Sequence, residues 1–212
     1  MVTISEIRRS RSFCCLLLDN GEQYWLRSED LDNSGIKEGS SLDEDVMQRT
    51  IRSIQYPRAL NHAVSMLARR PCSRQEIYSR LIRLRYSEPT AELVVFKLER
   101  EKLLDDAAFC EQWIRFRLAR RYGPSVIRRE LKQKGISEEL ISAAFARLDP
   151  AEEENSALIL AEKAWKRMNP SGDIRKSRQK VIAALVRKGY DWETARSSCD
   201  TVLTEMKKDC PD

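Results

Sequence analysis

Histidine is nearly missing from this chain. His62 is the only one in 212 residues, and the six cysteines (Cys14, Cys15, Cys72, Cys110, Cys199 and Cys210) include no Cys-x-x-Cys pair. Zinc sites need Cys and His clustered at short spacing, so no structural metal is expected. Disulfide frameworks belong to small secreted chains, so the thiols are read as reduced, several of them on buried helix faces. Glycine and proline are also sparse, at 7 residues each, and turn residues are scarcest after residue 57. A sheet needs turns often, so that scarcity favours helices. No apolar run approaches the roughly 20 residues of a membrane span. The N-terminal stretch also lacks the long apolar segment of a secretory signal. The expectation is a soluble cytoplasmic protein without a membrane partner. Phosphate-loop, dinucleotide and nucleophile-elbow motifs are absent as well. His62 has no Cys, Ser or Asp arrangement around it, so neither catalysis nor a cofactor is expected.

Charge is abundant. Charged residues make up 33% of the chain, with a net charge of +5, against about 25% in an average globular protein. Its distribution says more than its sum. Residues 1–57 carry 7 basic and 10 acidic residues, residues 58–150 carry 19 and 12, and residues 151–212 carry 12 and 11. Between Trp113 and Lys134, 8 basic residues face one acid, Glu130. A local basic focus suits a polyanion or an acidic protein surface as partner.

The first 57 residues differ in style from the rest. The apolar run Ser12–Leu18 leads into Asp19-Asn20-Gly21, and Gln23–Arg27 returns. Asn-Gly between such runs signals a hairpin whose two turn residues both take positive φ. Val2–Ile7 adds a possible third strand. Glu29–Asp32 is an acidic segment, Gly35 and Gly39 mark a loop, and Leu42–Gln55 reads as a helix capped by Ser41. This element is expected to be too small to hold a core of its own.

From Arg58 onward a pattern repeats. With Ser73–Leu98, Gly123–Leu148 and Ser177–Val202 in register, Ile77, Ile127 and Val181 coincide, as do Leu81, Leu131 and Leu185. Arg85-Tyr86, Gly135-Ile136 and Gly189-Tyr190 follow, and then Ser87, Ser137 and Asp191, each a good helix cap. Val95, Phe145 and Cys199 coincide next, then Leu98, Leu148 and Val202. A further helix precedes each unit: Arg58–Arg70, Asp106–Arg121 and Glu153–Met168. In the second of these, Phe109, Trp113, Phe116 and Ile114 are expected on the buried face. Pro71, Gly123-Pro124, Pro150 and Asn169-Pro170-Ser171-Gly172 mark breaks. The fold expected is mostly α, with three tandem three-helix (helix-turn-helix-like) repeats in an elongated crescent after a small N-terminal β-hairpin element. The corresponding divisions are residues 1–57, 58–104, 105–150 and 151–212.

Several stretches carry a family resemblance. Leu67-Ala68-Arg69-Arg70-Pro71-Cys72-Ser73, Leu103-Leu104-Asp105-Asp106-Ala107-Ala108-Phe109 and Trp113-Ile114-Arg115 resemble the regulatory protein RecX family. So does Gly123-Pro124-Ser125-Val126-Ile127-Arg128-Arg129-Glu130-Leu131-Lys132-Gln133-Lys134-Gly135-Ile136. The likeness is best over residues 58–148 and looser in the third unit, through Arg187-Lys188-Gly189-Tyr190. It implies a crescent of three repeats that binds the RecA filament on DNA, in its helical groove, and modulates RecA, usually by inhibition. It implies no catalytic residues. One departure stands out: Arg85 occupies the turn position that holds Gly135 and Gly189. A non-glycine at a left-handed cap costs around 1 kcal/mol, so the first turn is expected to be built differently.

The candidate RecA- or DNA-binding residues are Arg69, Arg70, Arg83, Arg115, Arg117, Arg120, Arg121, Arg128, Arg129, Lys132 and Lys134. On a helix Arg117, Arg120 and Arg121 share a face, as do Arg128 and Lys132, and such clusters can track phosphates. The plain alternative is a solvated face paired locally to Glu111 and Glu130. Arg80 and Arg85 join the group of the first repeat, where Glu76 and Glu88 offer partners. Lys176, Arg178, Lys180, Arg187 and Lys188 form a weaker group in the third. Asp105-Asp106 reads as helix capping, Trp113 and Phe116 as core, and Tyr86, Tyr122 and Tyr190 as packing near turns. The leading function is a monomeric regulator of RecA filaments, with single- or double-stranded DNA contacted inside the filament. The rival is a helix-turn-helix regulator that reads duplex DNA directly. Against the rival, the helices after Ser87 and Ser137 begin with Glu-Pro-Thr-Ala-Glu and Glu-Glu-Leu-Ile-Ser, which are acidic where a reader needs Asn, Gln or Arg.

Overall fold

The computed structural model describes residues 1–168 and 173–209; the Asn169–Gly172 break and Cys210 lie outside them. The chain divides into two compact units, Met1–Asp105 and Asp106–Asp212, which are taken here in turn.

The first unit opens with β1 (Val2–Arg9), β2 (Phe13–Leu18) and β3 (Gln23–Arg27). The turn between β2 and β3 needs only one left-handed residue. Gly21 takes φ +88°, and Asn20 keeps a negative φ. The Gly21 amide donates to Leu18 O at 3.0 Å, and the Glu22 amide donates to Asn20 Oδ1 at 3.0 Å. The side chain of Asn20 therefore closes the turn where a primed two-residue turn was expected. Next come α1 (Ser28–Ser34), from the acidic segment, and β4 (Ser41–Leu42), which completes an antiparallel sheet of order β3-β2-β1-β4. Ser41 is thus in a strand, and Asp43 caps the following helix through its bond from the Asp45 amide.

That helix, α2 (Glu44–Leu67), runs through Pro57 without a break, replacing the two helices expected at 42–55 and 58–70. A proline inside a helix removes one bond and costs about 3 kcal/mol. Apolar burial on both sides offsets the loss, at roughly 1.5–3 kcal/mol per large side chain. Met47 and Ile51 complete a core with Ile4, Leu16, Leu26 and Leu31, so the N-terminal element has a core of its own, contrary to expectation. Ala59 and Ala63, farther along the same helix, belong to the first repeat. Between them Gln55, 3% exposed, donates to Trp25 O and accepts from the Ser87 amide, Ser87 Oγ and Thr90 Oγ1.

The first repeat adds α3 (Arg74–Arg83) and α4 (Glu88–Arg100). Ser73 and Glu76 form a reciprocal capping box at the start of α3. At its end Arg85 takes φ +68°, and the Tyr86 amide donates to Leu81 O at 3.2 Å. The two glycine turns carry the same bond, Ile136 to Leu131 and Tyr190 to Leu185. Despite its arginine, then, the first turn is built like the others.

The second unit holds α5 (Asp106–Ala119), α6 (Pro124–Gln133) and α7 (Glu138–Ala146), followed by α8 (Pro150–Met168), α9 (Ile174–Arg187) and α10 (Trp192–Asp209). The repeated positions are buried in all three cores: Ile77, Ile127 and Val181, with Leu81, Leu131 and Leu185, are each 0% exposed. The second repeat relaxes at its end, where Phe145 and Leu148 are only half-buried. Repeats two and three meet at Gly123. Its amide donates to Lys188 O at 2.8 Å, the Ser125 amide donates to Gly189 O at 3.1 Å, and Ser125 Oγ donates to the same oxygen. Buried Ser156 donates to Leu118 O at 2.7 Å and lies 2.8 Å from the Tyr190 hydroxyl, a further link between the two repeats.

Candidate functional site

Burial on α5 is rotated relative to the expected face. Phe109, Cys110, Ile114 and Leu118 form the seam, while Trp113 is half-buried and Phe116 is 44% exposed. Phe116 is therefore a surface residue, and the expectation of core is corrected. The rotation sets a short aromatic run against the basic residues. The Trp113 ring lies 5.9 Å from Phe109 and 5.7 Å from Phe116. The Arg120 guanidinium covers Phe116 at 4.1 Å, and the Lys134 ammonium covers Trp113 at 4.2 Å.

Glu130, the one acid of the basic run, is consumed inside this group. It accepts from Trp113 Nε1 at 3.1 Å and from Arg117. Arg117 is 14% exposed, stacks 3.7 Å from the Tyr122 ring centre, and buries its Nε without a partner. Lys188 covers the same ring at 3.9 Å. A hydrogen bond from Lys188, with the nearby charge of Arg117, lowers the Tyr122 hydroxyl below its ordinary value. Arg117 thus belongs to the scaffold of the surface.

The other candidates sort by partner. Lys132 pairs with Glu138 at 2.8 Å and Arg128 with the same carboxylate at 3.3 Å, and Arg128 also covers Phe145. Those two cations hold Glu138 below the ordinary carboxylate range, the bond from Lys132 acting most. Arg70 pairs with Glu76 at 3.1 Å. Arg69 and Arg83 in the first unit, and Arg115, Arg120, Arg121 and Arg129 in the second, have no carboxylate in ion-pair reach among the described residues. Arg121 also holds a left-handed backbone, φ +63°. Mid-helix positions present Arg115 and Arg129 to solvent. The structure therefore brings Arg120 together with Phe116, and Lys134 with Trp113, into one aromatic and basic surface on the α5 side of the second unit.

Alternative chemistry finds little support. Burial raises the thiols of Cys15 and Cys199 and pushes Cys110 up to about 11, so these sulfurs stay protonated and poor as nucleophiles. A cavity of about 570 Å³ between α8 and α10 is lined by Glu154, Glu193 and small polar residues, with no cation. It does not suit a polyanion. No helix among the described residues is long and apolar enough to cross a membrane.

Comparison with known proteins places this architecture. Models of the first, second and third three-helix domains of RecX match residues 59–98, 105–144 and 152–197. The regulatory protein RecX of Prosthecochloris aestuarii is 36% identical over 151 residues, covering 69% of this chain and 95% of that protein. That of Enterococcus faecalis is 28% identical over 211 residues, 99% of this chain and 79% of its own. Two solved structures share the fold. The crystal structure of RecX from Lactobacillus salivarius has a TM-score of 0.64 at 23% identity, over 74% of this chain and 99% of that one. A second regulatory protein RecX has a TM-score of 0.63 at 24% identity, over 96% and 100%. With three matching domains in order and relatives that align along nearly its whole length, the chain belongs to the RecX family of regulatory proteins.

Proposed function

We propose that this chain is a non-enzymatic, monomeric, cytoplasmic protein that binds RecA recombinase filaments and modulates them, chiefly by inhibiting ATP hydrolysis and strand exchange. Family membership supports the class of role. The observation that carries the mode of binding is the set of unpaired arginines, Arg115, Arg120, Arg121 and Arg129, on a unit whose one central acid is already bound internally. Three of these, Arg115, Arg120 and Arg129, are exposed and Arg121 is half-buried; surface cations without ion-pair partners steer a protein toward acidic surfaces and phosphates. Arg69 and Arg83 add to this role in the first unit, while Arg70, Arg128 and Lys132 act once their surface pairs open, since such pairs contribute only about 0–1 kcal/mol. Lys134 acts beside Trp113. The acidic starts of α4 (Glu88) and α7 (Glu138, Glu139) disfavour the rival, direct reading of a duplex groove.

The test is DNA-dependent ATP hydrolysis by the cognate RecA, titrated with this protein at substoichiometric ratios. The expected result is a salt-sensitive fall in rate, lost in Arg120→Glu with Arg129→Glu. These two positions are exposed and unpaired, so the double variant leaves the fold intact. An unchanged rate with no co-sedimentation on filaments overturns the proposal, and binding of bare duplex with sequence preference would favour the rival.

A further inference from the structure

Aromatic rings and arginines also gather in the first unit, where the sheet meets the first repeat. Phe13, Trp25, Arg27, Arg58, His62 and Tyr86 line a cavity of about 120 Å³. It is smaller than the roughly 150 Å³ that encloses one benzene ring, so it seats at most one planar ring, partly inserted, and no large cofactor. The rings are held in place. The Tyr86 hydroxyl lies 2.8 Å from His62 Nδ1, and Gln55 fixes the Trp25 carbonyl at 2.9 Å.

The cations around the cavity are mostly uncommitted. The Arg27 guanidinium rests 4.5 Å from the Phe13 ring centre, and Arg85 rests 5.2 Å from that of Trp25. Neither of them, nor Arg80, has a carboxylate in ion-pair reach among the described residues. The one carboxylate lining the cavity, Asp30, is held by Arg58 at 2.7 and 3.2 Å, and Arg58 also takes Glu29 at 3.0 Å. Burial, with Arg27, Arg80 and Arg58 behind it, keeps the His62 imidazole below its ordinary value and so neutral. Arg85, moreover, holds φ +68° at the turn position where the other repeats have Gly135 and Gly189. A side chain kept in a conformation that glycine adopts freely marks a position where the side chain itself has work.

We propose that this junction is a second nucleic-acid site, which receives one nucleotide of a single strand with its base among the rings and its phosphate on Arg27 and Arg85. Single-strand sites combine these features, since any base can stack on an aromatic face while arginines track the backbone. A duplex keeps its bases stacked inside and cannot enter a single-ring cavity. An acidic peptide would use the arginines and leave the rings idle. The site belongs to the first unit and the α5 surface to the second, and its existence does not depend on RecA.

The test uses the full chain without RecA and a fluorescent oligothymidylate, read by anisotropy across a salt series. Arg85→Gly gives the turn the residue its two counterparts carry, so folding is not at risk, and Arg27→Gln removes the other cation. Each variant is expected to weaken binding about tenfold, or 1.4 kcal/mol. Each should also lower the slope of log K against log salt by about 0.7, the loss of one phosphate contact on a single strand. The imidazole resonance of His62, the only histidine, reports occupancy by NMR. It should move when oligothymidylate is added to the native chain, and in Arg85→Gly it should need about tenfold more oligonucleotide to move as far. Three results each overturn the proposal: unchanged affinity in both variants, a His62 signal that ignores the oligonucleotide, or an oligoglutamate peptide that displaces it and moves His62 equally. An abasic oligomer that binds as tightly removes the base from the site and overturns it likewise. Loss of RecA inhibition in the Arg120 and Arg129 double variant is read separately, so the two proposals can fail independently.

Discussion

Gly123→Ala should undo the joint between the second and third repeats. The backbone at Gly123 is extended, φ −84°, a conformation any residue adopts, so the glycine is needed for closeness. A Cβ there would stand 2.5 Å from Gly189 O and nearer still to the Gly189 carbonyl carbon and the Tyr190 amide nitrogen. All three are backbone atoms, and no rotamer change relieves them. The joint must open by about 1 Å to reach van der Waals separation. That displacement breaks the bonds from the Gly123 amide to Lys188, and from the Ser125 amide and hydroxyl to Gly189. Three hydrogen bonds at about 1 kcal/mol each, plus about 1–3 kcal/mol for overpacking, less about 0.5–1 kcal/mol for the stiffer unfolded chain, give a net loss of about 3–5 kcal/mol. Urea unfolding followed by circular dichroism measures it, and amide exchange should quicken first at Gly123 and Ser125. Gly21→Ala is the control. Its Cβ would meet nothing within 4 Å, so only the left-handed strain of about 1 kcal/mol remains. If the two variants lose equal stability, the close-approach argument is wrong.

Arg117→Ala should cost about 3 kcal/mol, because it leaves the largely buried Glu130 carboxylate, still bound by the Trp113 indole, without its counter-charge. Arg117→Lys should not restore the loss, since an ammonium cannot both lie flat on Tyr122 and reach the carboxylate; full rescue by lysine in thermal unfolding would refute this. For His62 the sign follows from its lowered native value. The unfolded chain binds the proton first, so stability is complete above about pH 6.5 and falls as the pH drops through the native value. One-proton NMR of the single imidazole should show a midpoint below 6.5, and a midpoint above it would contradict the cationic surroundings. Glu138→Gln should release Arg128 and Lys132 and steepen the salt dependence of polyanion binding. An unchanged slope would mean those two cations face no phosphate.

Much of this fold was legible in the sequence because it repeats. Leu81, Leu131 and Leu185 recur with the same helical spacing and occupy the same buried place, so any one of them predicts the others. What failed was non-local. Pro57 reads locally as a break, and only the two cores on either side of it keep α2 continuous. The spacing Phe109, Trp113, Phe116 describes a plausible face, but packing against α6 and α7 turned the helix so that Ile114 and Leu118 went inward. The first 57 residues looked too few for a core because they read as a hairpin and a separate helix, whereas a four-stranded sheet and α1 close over Met47 and Ile51 of α2. Of the candidate surface, the sequence disclosed the cations but not their commitments. Arg117 and Glu130 are 13 positions apart on different helices, and no periodicity links them.

The three inter-helix turns carry one further lesson, because identical hydrogen bonds serve different ends there. Gly135, φ +79°, is the plain form of the turn. Gly189 has the same backbone, but a side chain on it would strike Val126 within 3 Å, so the glycine is kept for conformation and docking together. Arg85 pays the conformational cost in full and sets a guanidinium over Trp25. The shared part of the repeat, leucine, turn and cap, fixes the fold and is silent about function. What distinguishes one repeat from another is the residue at the turn and the cations beside it. For a protein made of copies, those differences are where partners should be sought, and Arg85 against Gly135 and Gly189 is the sharpest of them.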